Sequence, residues 1–186
     1  MNHPVAINTS NIIYFVVIFI FMFHKRESLF DENEILDFLE VSENMSILDA
    51  GCGDGFYTKM FVKRSKNVTA IDLYSDFFEE LNSLGVKTYK ADICTFDLGT
   101  YDLIFLANVF HDLDCQDKVF EKLYKICNNR VAILDFKLDT PFGPPERIRI
   151  PKEKMINMFE GNKFKLIKEK DLKYHYFLIF KKVNIR

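Results

Sequence analysis

The amino-acid sequence predicts an α/β protein with a doubly wound, mostly parallel sheet. From residue 31 onward, short apolar segments alternate with segments in which apolar residues recur at helical spacing. The apolar segments are hydrophobic on both faces, as expected for parallel strands that are covered by helices on both sides. Near the C-terminus, two strands follow each other after a short polar connection, which permits only antiparallel pairing. We therefore expect a parallel sheet that ends in a hairpin.

The first half of this pattern contains three strands, each preceded by a segment of helical periodicity. Asp31 and Glu32 precede apolar positions at helical spacing, and acidic residues favour the first turn of a helix. The next predicted helices are Phe56–Lys63 and Asp76–Leu84, the second of which stops at Gly85, a residue type that commonly ends helices. The predicted strands are Ser46–Ala50, Asn67–Ile71 and Val86–Ala91.

The second half continues the alternation and then changes. The segment Pro141–Pro145 contains three prolines and a glycine, so it must be a loop. The predicted helices on either side of this loop are Cys115–Cys127 and Lys152–Glu160. The predicted strands are Tyr101–Ala107, Val131–Phe136, Phe164–Glu169 and Tyr174–Lys182.

An apolar run, Ile12–Phe23, precedes this pattern and leads directly into His24-Lys25-Arg26. As a helix the run would extend about 18 Å, whereas the hydrocarbon core of a bilayer is roughly 30 Å thick. Three interpretations stay open: a marginal membrane anchor, an extra element packed on the domain, or a misassigned start upstream of Met22. We expect residues 1–23 to form an N-terminal extension and residues 24–186 to form one domain. Membrane association is expected only through residues 12–23.

Charge and cysteine content narrow the functional classes. The net charge of -2 provides no field that would attract nucleic acid. The four cysteines are Cys52, Cys94, Cys115 and Cys127, and none of them forms a C-x-x-C pair, so we expect no metal site. Their positions favour reduced thiols in a cytoplasmic protein. A membrane-anchored domain on the cytoplasmic side is the alternative.

A glycine-rich turn follows the first predicted strand. The segment Asp49–Gly55 (DAGCGDG) places three glycines before the next helix, so the backbone can bend sharply and approach a ligand closely. Asp72 follows the second strand, where its carboxylate can accept hydrogen bonds from two ribose hydroxyls. Asp92 follows the third strand at the same edge of the sheet. Because ligands of open α/β sheets bind at this carboxyl edge, the sequence predicts a nucleoside site here.

The spacing within the turn discriminates between nucleoside ligands. A dinucleotide site requires G-x-G-x-x-G, but Phe56 occupies the third glycine position. A phosphate-binding loop requires Lys and then Ser or Thr after its last glycine, and neither follows Gly55. Asp54 lies inside the turn, where it would repel a pyrophosphate. S-adenosylmethionine carries a sulfonium, an ammonium and no phosphate, so these acidic residues favour it over NAD as the cofactor.

Four segments of the chain resemble the motifs of class I S-adenosylmethionine-dependent methyltransferases. LDAGCGDGFYT and AIDLYSDF are similar to the first two motifs, and ADICTF and YDLIFLANVFHDL are similar to the third and fourth. The resemblance spans about Ile47–Lys181 and is strongest to the small prokaryotic type 11 enzymes. It implies a Rossmann-like, seven-stranded sheet of order 3-2-1-4-5-7-6, into which the final hairpin inserts antiparallel.

The resemblance also implies a set of cofactor contacts. Backbone of the glycine turn would hold the methionine end, Asp72 would bind the ribose, and Leu73 would pack on the adenine. The segment after the third strand would meet the adenine edge, and the end of the fourth strand would line the sulfonium side. The complete implied set is Asp49, Gly51, Cys52, Gly53, Gly55, Asp72, Leu73, Asp92, Ile93, Ala107 and Asn108.

The acceptor side has fewer sequence signals. His111, just past the fourth strand, is the best-placed general base. The resemblance suggests Arg147 or Arg149 for an anionic acceptor and His175-Tyr176 for the mouth of the site. We expect methyl transfer by direct displacement to a small-molecule acceptor, which the sequence does not identify. Two alternatives stay open: a non-catalytic regulatory module that binds S-adenosylmethionine, and an NAD-dependent enzyme.

Overall fold

The computed structural model describes residues 31–184, which fall into two compact units divided between Phe38 and Leu39. Helix α1 (Glu32–Phe38) belongs to the first unit, and the Asp31 carboxylate accepts a hydrogen bond from the backbone N–H of Asn33 at its start (2.8 Å). The predicted extension, residues 1–23, lies outside the described residues. Within residues 31–184, no helix combines the length and hydropathy needed to cross a membrane.

The second unit carries a seven-stranded sheet and four α-helices among its described residues. The strands are β1 (Ser46–Ala50), β2 (Asn67–Asp72), β3 (Lys87–Lys90), β4 (Tyr101–Ala107), β5 (Cys127–Phe136), β6 (Phe164–Asp171) and β7 (His175–Lys182). The helices are α2 (Phe56–Phe61), α3 (Phe78–Ser83), α4 (Val119–Ile126) and α5 (Lys152–Glu160). Short 3-10 helices cover Phe110–Asp112 and Glu146–Ile148.

The strand order is β3-β2-β1-β4-β5-β7-β6, which confirms the predicted topology. Strands β1 to β5 pair in parallel, and β7 lies between β5 and β6, antiparallel to both. The carboxyl ends of the five parallel strands therefore point to one edge of the sheet. Every loop that contains a predicted cofactor residue leaves the sheet at this edge.

Both faces of the sheet are covered by aromatic packing. On one face, Phe159 of α5 stacks on Phe180 of β7, with ring centroids 4.2 Å apart, and contacts Phe120 of α4 edge to face at 5.0 Å. On the opposite face, Phe61 of α2 packs edge to face on Phe105 of β4 at 5.3 Å. Leu106 of β4 belongs to the same core cluster as Phe159 and Phe180, whereas its neighbour Phe105 packs on Phe61, so β4 is apolar because both of its faces are covered.

Two neighbouring predicted elements, Cys115–Cys127 and Val131–Phe136, differ in extent from the structure. The segment Cys115–Cys127 is not helical throughout, because α4 begins only at Val119 and Cys127 already starts β5. The residues before α4 form a turn, in which the carbonyl of Cys115 accepts hydrogen bonds from the N–H groups of Lys118 and Val119 (both 2.8 Å). A disulfide between Cys115 and Cys94 also constrains this turn.

Candidate functional site

The glycine turn is shaped by two glycines that are packed and one that is not. Gly51, Gly53 and Gly55 have φ angles of 79°, 55° and 76°, in the left-handed region that favours glycine. A Cβ on Gly51 would lie 2.4 Å from Val109, and one on Gly55 would lie 2.6 Å from Leu81. A Cβ on Gly53 would meet no atom within 4 Å. Gly53 therefore faces open space, where a ligand can approach the backbone.

The Asp72 carboxylate faces this turn. Its Oδ2 accepts a hydrogen bond from the Gly53 N–H at 2.8 Å, and its Oδ1 accepts one from the Tyr74 N–H at 3.0 Å. Both oxygens keep further lone pairs, so the carboxylate can also accept from ligand hydroxyls. Next to it, the Leu73 side chain is 58% exposed, which leaves an apolar surface beside the acid. This pairing of a carboxylate and an exposed leucine suits a ribose with an attached flat base.

Asp49 lies beneath the turn and is almost completely buried. Burial raises the pKa of its carboxyl to about 7, the hydrogen bond from the Thr58 hydroxyl (2.5 Å) opposes this shift, and the negative charges of Asp72 and Asp54 add to it. The acidic residues are therefore close enough to influence one another. A cationic ligand at this turn would relieve their mutual repulsion.

Replacing Asp49 with asparagine is expected to remove a pH dependence of stability. The folded pKa of about 7 lies above the ordinary value of 3.8, so stability falls as pH rises between these values. Asparagine can still accept the Thr58 hydrogen bond but cannot ionise. Urea unfolding should be measured at about pH 5 and about pH 8. The free energy of unfolding of the variant, relative to that of the original protein, should be higher at the higher pH. If the two proteins differed in free energy of unfolding by the same amount at both pH values, the raised pKa of Asp49 would be contradicted.

The predicted cofactor residues in the loop after β3 mainly stabilise the conformation of that loop. The Asp92 carboxylate accepts a hydrogen bond from the Cys94 N–H at 2.8 Å, and its carbonyl accepts from Phe96 N–H at 2.8 Å. The Ile93 side chain is buried in the apolar core. Any contact of Ile93 with a cofactor would thus be made by its backbone.

Two of the four cysteines are not reduced thiols, so the prediction of four free thiols is wrong. Cys94 and Cys115 form a disulfide with a Cα–Cα distance of 6.0 Å. The bond joins the loop after β3 to the turn that precedes α4, two segments that the parallel sheet brings to the same edge. Cys52 and Cys127 are buried free thiols, and burial raises the pKa of both.

The end of β4 packs directly on the glycine turn. Asn108 follows Ala107 with a φ of 57°, a conformation that asparagine tolerates better than most residues, and its N–H donates to the Leu134 carbonyl at 2.8 Å. This bend brings the Val109 side chain against Gly51. The Asn108 Oδ1 is buried and has no hydrogen-bond donor among residues 31–184. A ligand with a positive charge or an N–H group would satisfy this oxygen.

His111 forms a buried pair with an acid that the sequence reasoning missed. Its Nδ1 lies 2.7 Å from Oδ1 of Asp135, and the two side chains are 3% and 1% exposed. Burial lowers the pKa of His111, but the hydrogen bond and charge of Asp135, with the charge of Asp112, outweigh this and raise it overall. The available signal for Asp135 was a single acid near the end of an otherwise apolar strand, VAILDF.

Two of the four predicted acceptor residues, Arg149 and Tyr176, make structural contacts. The Arg149 guanidinium donates to the carbonyls of Pro144, Leu138, Thr140 and Phe142 at 2.7–3.1 Å and so holds the proline loop together. The Tyr176 hydroxyl is buried and donates to the Ile150 carbonyl at 2.9 Å. These contacts argue against direct acceptor roles for both residues.

Two other predicted acceptor residues differ in their exposure. His175 is buried with its ring centroid 4.3 Å from that of Phe136, and burial lowers its pKa to about 4, with smaller effects from the positive charges of His111 and Lys137. His175 is therefore neutral at physiological pH. Arg147 is exposed on the short helix after the proline loop. Of the two arginines, Arg147 is the more exposed, whereas Arg149 is half-buried and bonded to loop carbonyls.

Comparison with known proteins finds methyltransferases that are similar to this chain. The family model of the methyltransferase domain of type 11 matches residues 48–133. No protein of curated function matches the chain by sequence. An S-adenosylmethionine-dependent methyltransferase from Aquifex aeolicus is similar in structure, with a TM-score of 0.78, 28% identity, and coverage of 86% of this chain and 93% of that one.

Two further structures share the fold. A candidate type 11 methyltransferase from Sulfolobus solfataricus has a TM-score of 0.65 and 28% identity, over 76% of this chain and 85% of that one. The 1,6-didemethyltoxoflavin-N1-methyltransferase of Burkholderia thailandensis, with bound S-adenosylhomocysteine, has a TM-score of 0.70 and 15% identity, over 99% and 94% of the two chains. Together with the strand order and the Asp72-bound glycine turn, these findings show that the chain has the fold of class I S-adenosylmethionine-dependent methyltransferases and that its residues 48–133 match the type 11 methyltransferase domain.

Proposed function

We propose that the chain binds S-adenosylmethionine at the glycine turn and transfers its methyl group to a small-molecule acceptor. The observation that carries this proposal is the Asp72 carboxylate, which is hydrogen-bonded to Gly53 beside open space. When bound, the cofactor supplies an activated methyl group on a sulfonium. Similar enzymes act on small molecules, as the 1,6-didemethyltoxoflavin enzyme does.

The residues present fit this cofactor. Asp72 can accept hydrogen bonds from the ribose hydroxyls, and the exposed Leu73 can cover the adenine. The buried Asn108 Oδ1 places a partial negative charge at the end of β4. The acidic residues around Asp49 also favour a cation. The protein's main contribution to a direct displacement is alignment of the acceptor and exclusion of water. Within this proposal, His111 takes a proton from the acceptor. The exposed Arg147 attracts the acceptor if it is anionic.

Replacing Asp72 with asparagine is expected to weaken cofactor binding about tenfold or more, because a charge-assisted hydrogen bond to the ribose is lost. Titration calorimetry with S-adenosylmethionine measures this change. Asp76→Asn is the matched control, since Asp76 is an exposed acid four positions away, and it should bind the cofactor within about twofold of the original protein. Equal affinity in both variants would remove Asp72 from the site.

Two assays separate the proposal from its alternatives. Calorimetry with NADH should show no binding where S-adenosylmethionine binds, because Asp54 repels a pyrophosphate and Phe56 replaces the glycine that a dinucleotide requires. Release of S-adenosylhomocysteine should then be followed over a panel of phenols, amines and thiols. Turnover with any acceptor supports an enzyme. Tight cofactor binding without turnover on any acceptor would favour a regulatory module instead.

A further inference from the structure

We propose that Asp135 is a positioning residue that orients His111 as the base of the transfer, so that the acceptor is one whose nucleophilic atom must lose a proton. This class contains phenols, hydroxyls and protonated amines. The inference rests on the proposed function and extends it to a residue and an acceptor class. It starts from the buried contact between His111 Nδ1 and Asp135 Oδ1 at 2.7 Å.

The carboxylate is held rigidly at the end of β5. Asp135 Oδ1 also accepts a hydrogen bond from the Phe136 N–H at 2.8 Å, whereas its Oδ2 has no donor among residues 31–184. A carboxylate this deeply buried is costly unless it is paired. The imidazole is its ionisable partner, and an Nδ1–H donated to the carboxylate leaves the lone pair of neutral His111 on Nε2.

The backbone that carries His111 is also held in place. The Gln116 amide donates to the carbonyls of Phe110 and His111 at 3.1 and 3.2 Å, and the neighbouring Cys115 is tied to Cys94 by the disulfide. Val109, two residues before His111, packs on Gly51 of the glycine turn. His111 therefore lies on the same short segment as Val109, which packs on the predicted cofactor site, and Asp135 reaches it from the end of β5.

The charges around the imidazole suit proton removal from an acceptor. The Asp112 carboxylate lies 3.4 Å from Nε2 and is 64% exposed, while Asp135 faces Nδ1. Both acids stabilise the imidazolium that forms when Nε2 takes a proton, and the positive charge of Arg149 opposes this. His175 is close enough for the charge of His111 to affect it, and it is neutral at physiological pH, since burial lowers its pKa to about 4. Asp112 then offers the proton a path to water.

The proposed step balances without a further reactant. The acceptor atom loses its proton to His111 Nε2 and forms a bond to the methyl carbon, while the bond from that carbon to sulfur breaks. The electron pair of this bond stays on sulfur, and the released proton passes from His111 to solvent. Below the raised pKa of His111 the base is protonated, so the rate should rise with pH through that value.

Nitrogen NMR of the full chain tests the inference without any ligand. In the original protein, neutral His111 should carry its proton on Nδ1. In Asp135→Asn, the acid dissociation constant of His111 should rise about tenfold or more, because a buried negative charge is removed. Asp112→Asn is the matched control and should change it less, since Asp112 is mostly exposed. A proton on Nε2 in the neutral form, or an unchanged titration in Asp135→Asn, would overturn the inference.

A cycle of variants distinguishes positioning from general structural support. With an acceptor found in the panel, Asp135→Asn should lower kcat about tenfold or more and shift the acid limb of the pH profile to lower pH. In the His111→Asn background, the same change should have no further effect on kcat. An equal loss in both backgrounds would indicate a structural role and overturn the inference. Unchanged cofactor affinity in every variant separates this outcome from failure of the proposed function, in which S-adenosylmethionine would not bind at all.

Discussion

Replacing Gly51 with alanine is expected to lower the free energy of unfolding by about 3 kcal/mol and to abolish measurable cofactor binding. The φ of 79° costs a non-glycine residue about 1–2 kcal/mol. The added Cβ would lie 2.4 Å from Val109, and overpacking of this kind costs roughly 1–3 kcal/mol more. Relief of the clash requires the end of β4 to move away from the turn, which would displace His111 as well. Urea unfolding and calorimetry measure the two effects.

Gly53→Ala is the matched comparison, because it changes the same turn without a clash. The φ of Gly53 is 55°, so alanine at this position should cost about 1 kcal/mol of stability. The Cβ of the alanine would enter open space and meet no protein atom within 4 Å. We therefore expect a small loss of stability together with a loss of cofactor affinity of about tenfold or more, since the methyl group would occupy ligand space. Unchanged affinity in this variant would mean that the cofactor does not approach Gly53.

Reduction of the Cys94–Cys115 disulfide is expected to lower the free energy of unfolding by about 3 kcal/mol. The bond closes a loop over a sequence separation of 21, and a crosslink of this size removes about that much conformational entropy from the unfolded chain. Its loss also frees the loop after β3, whose Asp92 and Ile93 border the predicted adenine site. Urea unfolding with and without a phosphine reductant measures the change in stability.

A double variant provides the control for this experiment. Cys94→Ser combined with Cys115→Ser should unfold as the reduced protein does, and the reductant should not change it further. Alkylation of the denatured, unreduced protein followed by mass spectrometry should modify only Cys52 and Cys127. Modification of all four cysteines without reductant would contradict the disulfide.

Local sequence patterns were sufficient for most of the fold. The ranges of β1, β4 and α5 were predicted to the residue, and the strand order followed from the family resemblance. These elements were predictable because hydrophobic periodicity and glycine placement depend on neighbouring residues. The direction of Asp72 toward the turn also agrees with its position at the end of β2.

The functional pairings could not be read in the same way. His111 was selected by its position after β4, but its partner Asp135 is 24 residues away on β5 and was missed. Arg149 was expected near the acceptor. Its guanidinium instead donates hydrogen bonds to carbonyls of loop residues that lie five or more positions away in the sequence. Side chains of this kind find partners through sheet register and loop packing, which sequence spacing does not specify.

By itself, the sequence determined an alternating sheet, a glycine turn and an acid after the second strand, and it favoured a cationic nucleoside over a dinucleotide. Tertiary structure alone decided which glycine is left open, which acid is bonded to His111, and that Cys94 and Cys115 are joined. The reason is physical: strand and turn formation depends on local backbone preferences, whereas each of these contacts depends on parallel pairing that brings distant strand ends to one edge of the sheet.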